Sequence, residues 1–97
     1  MLAVRLIPAA RVELIAAQDW YEGEAPGLGR RFRAEIDSTV QRIASAPLQF
    51  PAVFKGVRRA RVSKFPYMPF FCIDGDELLV IACFHSRRDP QSWQSRV

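Results

Sequence analysis

The sequence of 97 residues contains one histidine, two cysteines and five glycines. With so few of these side chains it holds no zinc-binding constellation, and its glycines are too scattered for a P-loop or a dinucleotide-binding loop. No apolar run approaches the roughly 18 residues of a membrane span, and Arg5 interrupts the first apolar segment too early for a signal peptide. We therefore expect a cytoplasmic protein with no metal, no cofactor and no membrane association.

The two cysteines, Cys72 and Cys83, lie on either side of an Asp74-Gly75 pair. Asp-Gly between two apolar runs is typical of a β-hairpin, because both central residues of a type I′ turn need a positive φ that glycine adopts without steric cost. A tight turn at Asp74-Gly75 or at Gly75-Asp76 places Cys72 opposite Glu77 or Leu79 rather than Cys83, whereas a disulfide requires Cα atoms within about 7 Å. We therefore expect two buried, free thiols.

Hydrophobic periodicity predicts one strand, two helices and three further strands within a single domain that spans residues 1–97. The expected elements are a strand over 3–7, helices over 9–22 and 27–46, and strands over about 57–63, 67–73 and 78–84. The order β-α-α-β-β-β predicts an α+β fold in which a two-helix hairpin packs on one face of an antiparallel sheet.

Prolines refine this prediction at three places. Pro47 ends the second helix, and Pro47 and Pro51 together predict an extended connector from the helices to the sheet. Pro69 cannot donate a backbone hydrogen bond, so we expect regular pairing of its strand to begin only after it. Pro90 ends the extended chain, and the last residues, 91–97, are expected to form a short turn or helix whose Trp93 folds back on the body.

The formal net charge is +4, and the charges of residues 1–50 cancel, so the whole excess lies in the second half. No acidic residue occurs between Asp37 and Asp74. The candidate basic surface consists of Lys55, Arg58, Arg59, Lys64 and Arg88. Such a basic stripe favours a polyanion or an acidic protein partner, and a solvated strand face accounts for it equally well.

The polar residues around the hairpin suggest one kind of catalysis. Metal-independent cleavage of RNA through its own 2′-hydroxyl needs a base, an acid and cations beside the phosphate. His85 is the candidate base or acid, because imidazoles in general titrate near neutral pH, and Arg61, Arg87 and Lys64 are candidates to hold the phosphate. The alternative is structural: His85 hydrogen-bonds the chain where its strand ends, and Arg87 and Arg88 pair with Asp89 or with carboxylates of the helices. The residues alone favour this alternative.

Several short motifs, taken in order, give a resemblance to a known family. They are Asp19-Trp20-Tyr21-Glu22, Gly27-Leu28-Gly29 with Phe32 and Ile36, Pro47 and Pro51, Lys64-Phe65-Pro66-Tyr67, and His85-Ser86-Arg87-Arg88-Asp89-Pro90 with Trp93. Together they resemble the RelE/ParE superfamily of type II toxin–antitoxin toxins. The WYE, FPY and H-x-RR-x-P elements look most like its ParE, or plasmid-stabilisation, branch.

The resemblance implies a growth-inhibiting toxin that a cognate antitoxin holds inactive in a hetero-oligomer. Toxins of the ParE branch poison DNA gyrase, whereas those of the RelE branch cleave messenger RNA on the ribosome. Arg61 and Arg87 match arginines of the nuclease branch, but no tyrosine follows Tyr67. We therefore expect gyrase inhibition through the basic surface. The alternatives are messenger RNA cleavage by Arg61, His85 and Arg87, and a non-toxic homologue that only binds antitoxin.

Overall fold

A computed structural model describes residues 1–97 and confirms the α+β class. Its elements are β1 (Ala3–Leu6), α1 (Pro8–Glu24), α2 (Leu28–Ser45), a 3₁₀ turn (Pro47–Gln49), β2 (Ala52–Phe54), β3 (Val57–Arg59), β4 (Tyr67–Asp74), β5 (Glu77–His85) and α3 (Gln91–Gln94). The strands form one five-stranded sheet in the order β1-β5-β4-β3-β2. β1 runs parallel to β5, and the other neighbours are antiparallel.

The helix pair covers one face of the sheet, and the short α3 covers the other. Successive residues of a strand point to opposite faces, so Phe71 packs with Ala10 of α1 and Ile43 of α2, whereas Phe70 belongs to the opposite cluster. On that opposite face Trp93 stacks on Phe70 with 4.5 Å between ring centroids. The expected return of Trp93 to the body is confirmed. Neither long helix is apolar enough to cross a membrane.

The predicted hairpin is present, with its turn at the second of the two expected positions, but the turn type differs from the prediction. Asp74 pairs with Glu77, so Gly75 and Asp76 are the two central residues. Gly75 has a φ of 62°, and Asp76 is not among the residues with positive φ. A positive φ at the first central position alone is the signature of a type II′ turn, which needs glycine only there. The type I′ turn expected at this point is therefore wrong.

A second hairpin, β2–β3, was not predicted from the sequence. Phe54 pairs with Val57, and the two residues between them both adopt positive φ, 43° at Lys55 and 79° at Gly56. This is the type I′ pattern, and glycine at its second position adopts the positive φ without steric cost. Each strand has only three residues, which is too short for a periodicity signal to emerge.

The chain between α2 and β2 is also less extended than expected. Gln49 N donates to Ala46 O at 3.1 Å, which closes the 3₁₀ turn Pro47–Gln49. A proline at the first position favours such a turn because its fixed φ suits it. The predicted extended connector is therefore wrong, and the strand expected over 57–63 ends at Arg59.

Pro69 does not delay strand pairing, contrary to the prediction. The β4–β5 ladder begins at Tyr67, which lies opposite His85, and includes Pro69 opposite Cys83. Pro69 O accepts from Ala60 N at 3.2 Å, so the missing N–H of Pro69 points toward the β3 side. The ladder with β5 loses no donor there, because β5 lies on the other side of the strand.

β5 extends beyond the end of its neighbour β1. Two side chains hydrogen-bond the backbone groups of β5 that β1 leaves unpaired. The β1 ladder ends at Leu6 opposite Val80. Beyond it, Glu13 Oε1 accepts from Cys83 N at 3.2 Å, and Arg96 Nη1 donates to a β5 carbonyl at 2.8 Å. Glu13 and Arg96 also form an ion pair at 2.8 Å. This Glu13–Arg96 pair therefore ties α1 and the C-terminal segment to the open edge of β5.

Both cysteines are free, as expected. Cys83 is buried, as expected, but Cys72, which lies opposite Leu79 in the hairpin, is only half-buried, so the expected burial of Cys72 is wrong. Burial, with the Glu13 carboxylate adding to it, raises the pKa of the Cys83 thiol to about 12. Burial also raises the pKa of Cys72. Since the thiolate is the nucleophilic form of cysteine, Cys83 does not react with electrophiles near neutral pH.

Alkylation should therefore distinguish the two thiols. At pH 8 we expect iodoacetamide to modify Cys72 alone in the folded protein and both cysteines in urea, as read by mass spectrometry.

The buried Cys83 thiol should also make stability depend on pH. A cysteine in the unfolded chain ionises near pH 9 and the folded Cys83 near pH 12. The contribution of Cys83 to the free energy of unfolding is therefore intact below pH 9 and falls as the pH rises between those values. A Cys83→Ala variant should lack this fall. Equal labelling of both cysteines at pH 8 in the folded protein would contradict the assignment.

Candidate functional site

The WYE motif at the end of α1 contributes one exposed ring and two structural residues. Glu22 reaches across the α1–α2 turn, where Oε2 accepts from Gly27 N at 2.8 Å and Oε1 from Gly29 N at 3.0 Å. These backbone donors, Gly27 first, lower the pKa of Glu22 and satisfy amides at the start of α2 that have no helical partner. Trp20 is 59% exposed. Of this motif, Trp20 is therefore the side chain available to a partner.

An aromatic cluster joins the helix pair to the strand ends. The Tyr21 ring lies 5.0 Å from Phe32 and 4.9 Å from Phe65, and Phe32 lies 5.3 Å from Tyr67. His85 continues the series with its ring 5.5 Å from Tyr67 in an edge-on arrangement. Burial raises the pKa of both tyrosines. The FPY and WYE motifs thus meet in one packed unit that fixes the position of His85.

His85 itself is tied to the chain that follows it. Arg87 N donates to His85 Nδ1 at 3.1 Å, and Arg88 N donates to His85 O at 3.0 Å. Ser86 N donates to Pro66 O at 2.7 Å. A ring nitrogen that accepts from an amide carries no proton, so for the neutral imidazole this geometry selects the tautomer with its proton on Nε2. The hydrogen bonds are those expected of a histidine that shapes the end of a strand.

A cleft with a cationic wall opens beside the ends of β3 and β4. It has a volume of about 390 Å³ and is lined by Arg59, Arg61, Val62, Phe65, Pro66, Tyr67, Met68 and Ser86. Neither arginine forms an ion pair, and no carboxylate lines the cleft. A smaller cleft of about 240 Å³ adjoins it, shares Arg59, Met68 and Ser86, and adds His85 and Arg88. We call the larger one the Arg59–Arg61 cleft.

The remaining predicted basic residues are distributed around this cleft. Arg58 Nη1 donates to Phe50 O at 2.6 Å, so its guanidinium is committed to the fold. Lys55 lies in the β2–β3 turn. Lys64 adopts a φ of 70° and lines a separate groove against α2.

Of the three residues proposed for RNA cleavage, Arg61 and His85 line different clefts, and the Arg87 side chain is exposed. Arg88 stacks on the Phe84 ring, with 4.3 Å from Cζ to the centroid. Neither Arg87 nor Arg88 forms an ion pair, so the carboxylate pairing expected of them is wrong. The structure therefore does not gather Arg61, His85 and Arg87 in one cavity. It also gathers no three His, Cys, Asp or Glu side chains closely enough to hold a metal ion.

A groove between α1 and the open end of β5 was not identified from the sequence. Its volume is about 320 Å³, with Val12, Ala16 and Trp20 on the helix side and His85 and Arg88 at the strand end. Val12, Ala16 and Trp20 recur every four residues, on a face of α1 other than its buried stripe. That second apolar stripe is the signal that sequence reasoning missed. We call this region the α1–β5 groove.

The arrangement of a helix pair on a twisted sheet is shared with a protein of a toxin–antitoxin system. A solved structure described as "Chromosomal ParDE TA system from P. aeruginosa" superposes with a TM-score of 0.77 at 20% sequence identity. The match covers 88% of this chain and 96% of that chain. It establishes the common fold.

Residues 4–90 match the family described as "ParE toxin of type II toxin-antitoxin system, parDE". The chain therefore belongs to the ParE toxin family, and the resemblance drawn from the motifs is confirmed. No curated protein matches the sequence.

Proposed function

We propose that this toxin inhibits DNA gyrase in the cytoplasm and that a cognate antitoxin neutralises it by binding the α1–β5 groove. The observation that carries the proposal is the match of residues 4–90 to the ParE family. The open cations beside β3 and β4 supply a surface for the target. A net charge of +4 also favours fast encounter with acidic partners.

The groove fits a partner segment for two reasons. Exposed apolar residues that line a groove mark an interaction site, and tryptophan is among the residues that most often dominate binding energy. Trp20 and Val12 are exposed here although they belong to a helix whose other face is buried. At the far end Arg88 offers a cation. The matching antitoxin segment would therefore carry apolar residues followed by a carboxylate.

A supercoiling assay with purified gyrase tests both parts together. We expect excess toxin to block supercoiling and added antitoxin, the product of the neighbouring gene, to restore it. Trp20→Asp should inhibit gyrase as the natural protein does but require about 100-fold more antitoxin for relief, since loss of a central tryptophan costs about 2–4 kcal/mol of binding. Leu48→Asp is the matched control, because Leu48 is 70% exposed and lies outside the groove.

Each part has an outcome that contradicts it. If supercoiling were unaffected and messenger RNA were cleaved in a translating extract, the target would be the ribosome and not gyrase. No growth arrest on induction would identify a non-toxic homologue that only binds antitoxin. An unchanged antitoxin requirement for Trp20→Asp would remove the antitoxin from the α1–β5 groove.

A further inference from the structure

We propose that the smaller cleft, which adjoins the Arg59–Arg61 cleft, binds an apolar group that carries a carboxylate. Its volume is about 240 Å³. Pockets for drug-sized ligands begin at roughly 300 Å³, so this cleft suits a smaller ligand, such as one ring or one aliphatic side chain with its acid group. Such binding goes beyond the toxin activity and does not depend on gyrase being the target.

The floor of the smaller cleft is apolar and firmly packed. It consists of four side chains of one buried cluster, each at most 9% exposed: Met68, Phe70, Phe84 and Trp93. Trp93 stacks on Phe70, and the Phe54 ring meets Trp93 edge-on with 5.9 Å between centroids. These contacts hold the floor in place before any ligand arrives. A preformed apolar surface favours a hydrocarbon ring or chain, because burial removes both from water.

Two guanidinium groups lie beside this floor. Arg59 is opposite Phe70 in the β3–β4 ladder, so both side chains point to the face of the sheet that holds the cleft. Arg88 stacks on Phe84, which uses the flat face of the guanidinium and leaves its N–H edge free to donate. Neither arginine forms an ion pair, and no Asp or Glu lines the cleft. The site therefore has cationic donors without an internal anion.

A carboxylate is the anion that matches these donors and this floor together. The arginine fork binds both carboxylate oxygens at once, and the hydrocarbon body of the acid covers the floor. A nucleobase suits the floor less well, since its hydrogen-bonding edges would be buried against hydrocarbon without partners. The acid is either a free small molecule or the C-terminal residue of a peptide, because both carry the same groups.

Trp93 can report binding directly, since the chain contains only two tryptophans and Trp20→Phe leaves Trp93 alone. In this variant we expect N-acetylphenylalanine to change the tryptophan fluorescence saturably. Its amide lacks the charge and N-acetylglycine lacks the ring, so each should bind at least about 10-fold more weakly. A tetrapeptide that ends in phenylalanine distinguishes the two sources: tighter binding than the free acid indicates a chain end, and weaker binding indicates a small molecule. Calorimetric titration measures the same affinities without fluorescence.

Arg59→Ala, made in the Trp20→Phe background, tests the cationic side of the site. It should weaken binding of N-acetylphenylalanine about 10-fold and leave the affinity for the amide unchanged. Arg59 is replaced rather than Arg88 because Arg88 also lines the α1–β5 groove. Arg11→Ala is the matched control, since Arg11 is exposed on α1 and its loss removes the same charge. Circular dichroism verifies that the variants fold.

Three results would overturn the proposal. They are no binding of the acid or the tetrapeptide by either method, equal affinity for the acid and its amide, and an equal loss in Arg59→Ala and Arg11→Ala. Displacement of the acid by an equal concentration of inorganic phosphate would also contradict it, because the floor would then contribute nothing. These measurements contain no gyrase. Supercoiling inhibition without acid binding would therefore defeat this inference alone, and acid binding without inhibition would defeat only the gyrase proposal.

Discussion

Replacement of Gly29 by alanine should destabilise the protein by about 2–3 kcal/mol, the cost of forcing extra atoms into a packed contact. A Cβ at Gly29 would lie 2.6 Å from the backbone oxygen of Gln18 and 2.9 Å from Cβ of Glu22. A backbone oxygen cannot rotate away, so α1 and α2 would have to separate. The same shift would strain the two hydrogen bonds that Glu22 accepts from Gly27 and Gly29. Urea titration followed by circular dichroism measures the loss.

Gly23→Ala is the control for this prediction. Gly23 also lies near the α1–α2 turn, yet a Cβ there would meet nothing within 4 Å, and its φ is not positive. Alanine should therefore be neutral or raise stability by up to about 1 kcal/mol, because it restricts the unfolded chain and favours helix. Equal losses in the two variants would show that helix separation is not the cause.

Arg96→Ala should cost about 2–3 kcal/mol of stability. The side chains of Arg96 and Glu13 are only 22% and 14% exposed, so removal of the arginine leaves a largely buried carboxylate without its cation. The variant also loses the hydrogen bond to Ile81 O and the stacking of the guanidinium on Phe84. Thermal unfolding should show a lower midpoint.

The Arg5–Glu77 pair supplies the comparison. It has a similar distance, 3.2 Å, but its side chains are 60% and 42% exposed. Arg5→Ala should therefore change stability by less than about 1 kcal/mol. A double variant, Glu13→Gln/Arg96→Ala, should recover part of the loss because no unpaired charge remains buried. If Arg96→Ala were no worse than Arg5→Ala, the C-terminal segment would not be anchored by the ion pair.

Sequence reasoning succeeded where one periodicity dominated a long segment. The stripe of Phe32, Ile36 and Ile43 located α2, and the apolar arms on both sides of Gly75 located the β4–β5 hairpin. It failed for β2, whose three residues show no period, and it extended the strand that begins at Val57 four residues beyond the observed end of β3 at Arg59. Sequence reasoning did not predict the parallel pairing of Leu6 with Val80, because contacts so distant in sequence depend on how the helix pair returns the chain to the sheet.

For the site, sequence reasoning found the important segments but not the function of each residue. Glu22 was noticed as part of a motif, and only the structure shows that its carboxylate holds the start of α2. Arg58 was grouped with the open cations, although its guanidinium binds Phe50 O. Charge along a sequence cannot reveal which cations are engaged. That depends on carbonyl oxygens brought close by the turns around them.

Tyr67 stands between two regions that have been described separately. Its ring lines both the Arg59–Arg61 cleft and the α1–β5 groove, and His85 and Arg88 line both that groove and the smaller cleft. Where a ligand in the groove shifts the Tyr67 side chain, the affinity of a ligand in the Arg59–Arg61 cleft changes as well, and the factor by which either changes the affinity of the other is reciprocal. An antitoxin bound along α1 would then act on the cationic cleft through Tyr67, without any rearrangement of the sheet.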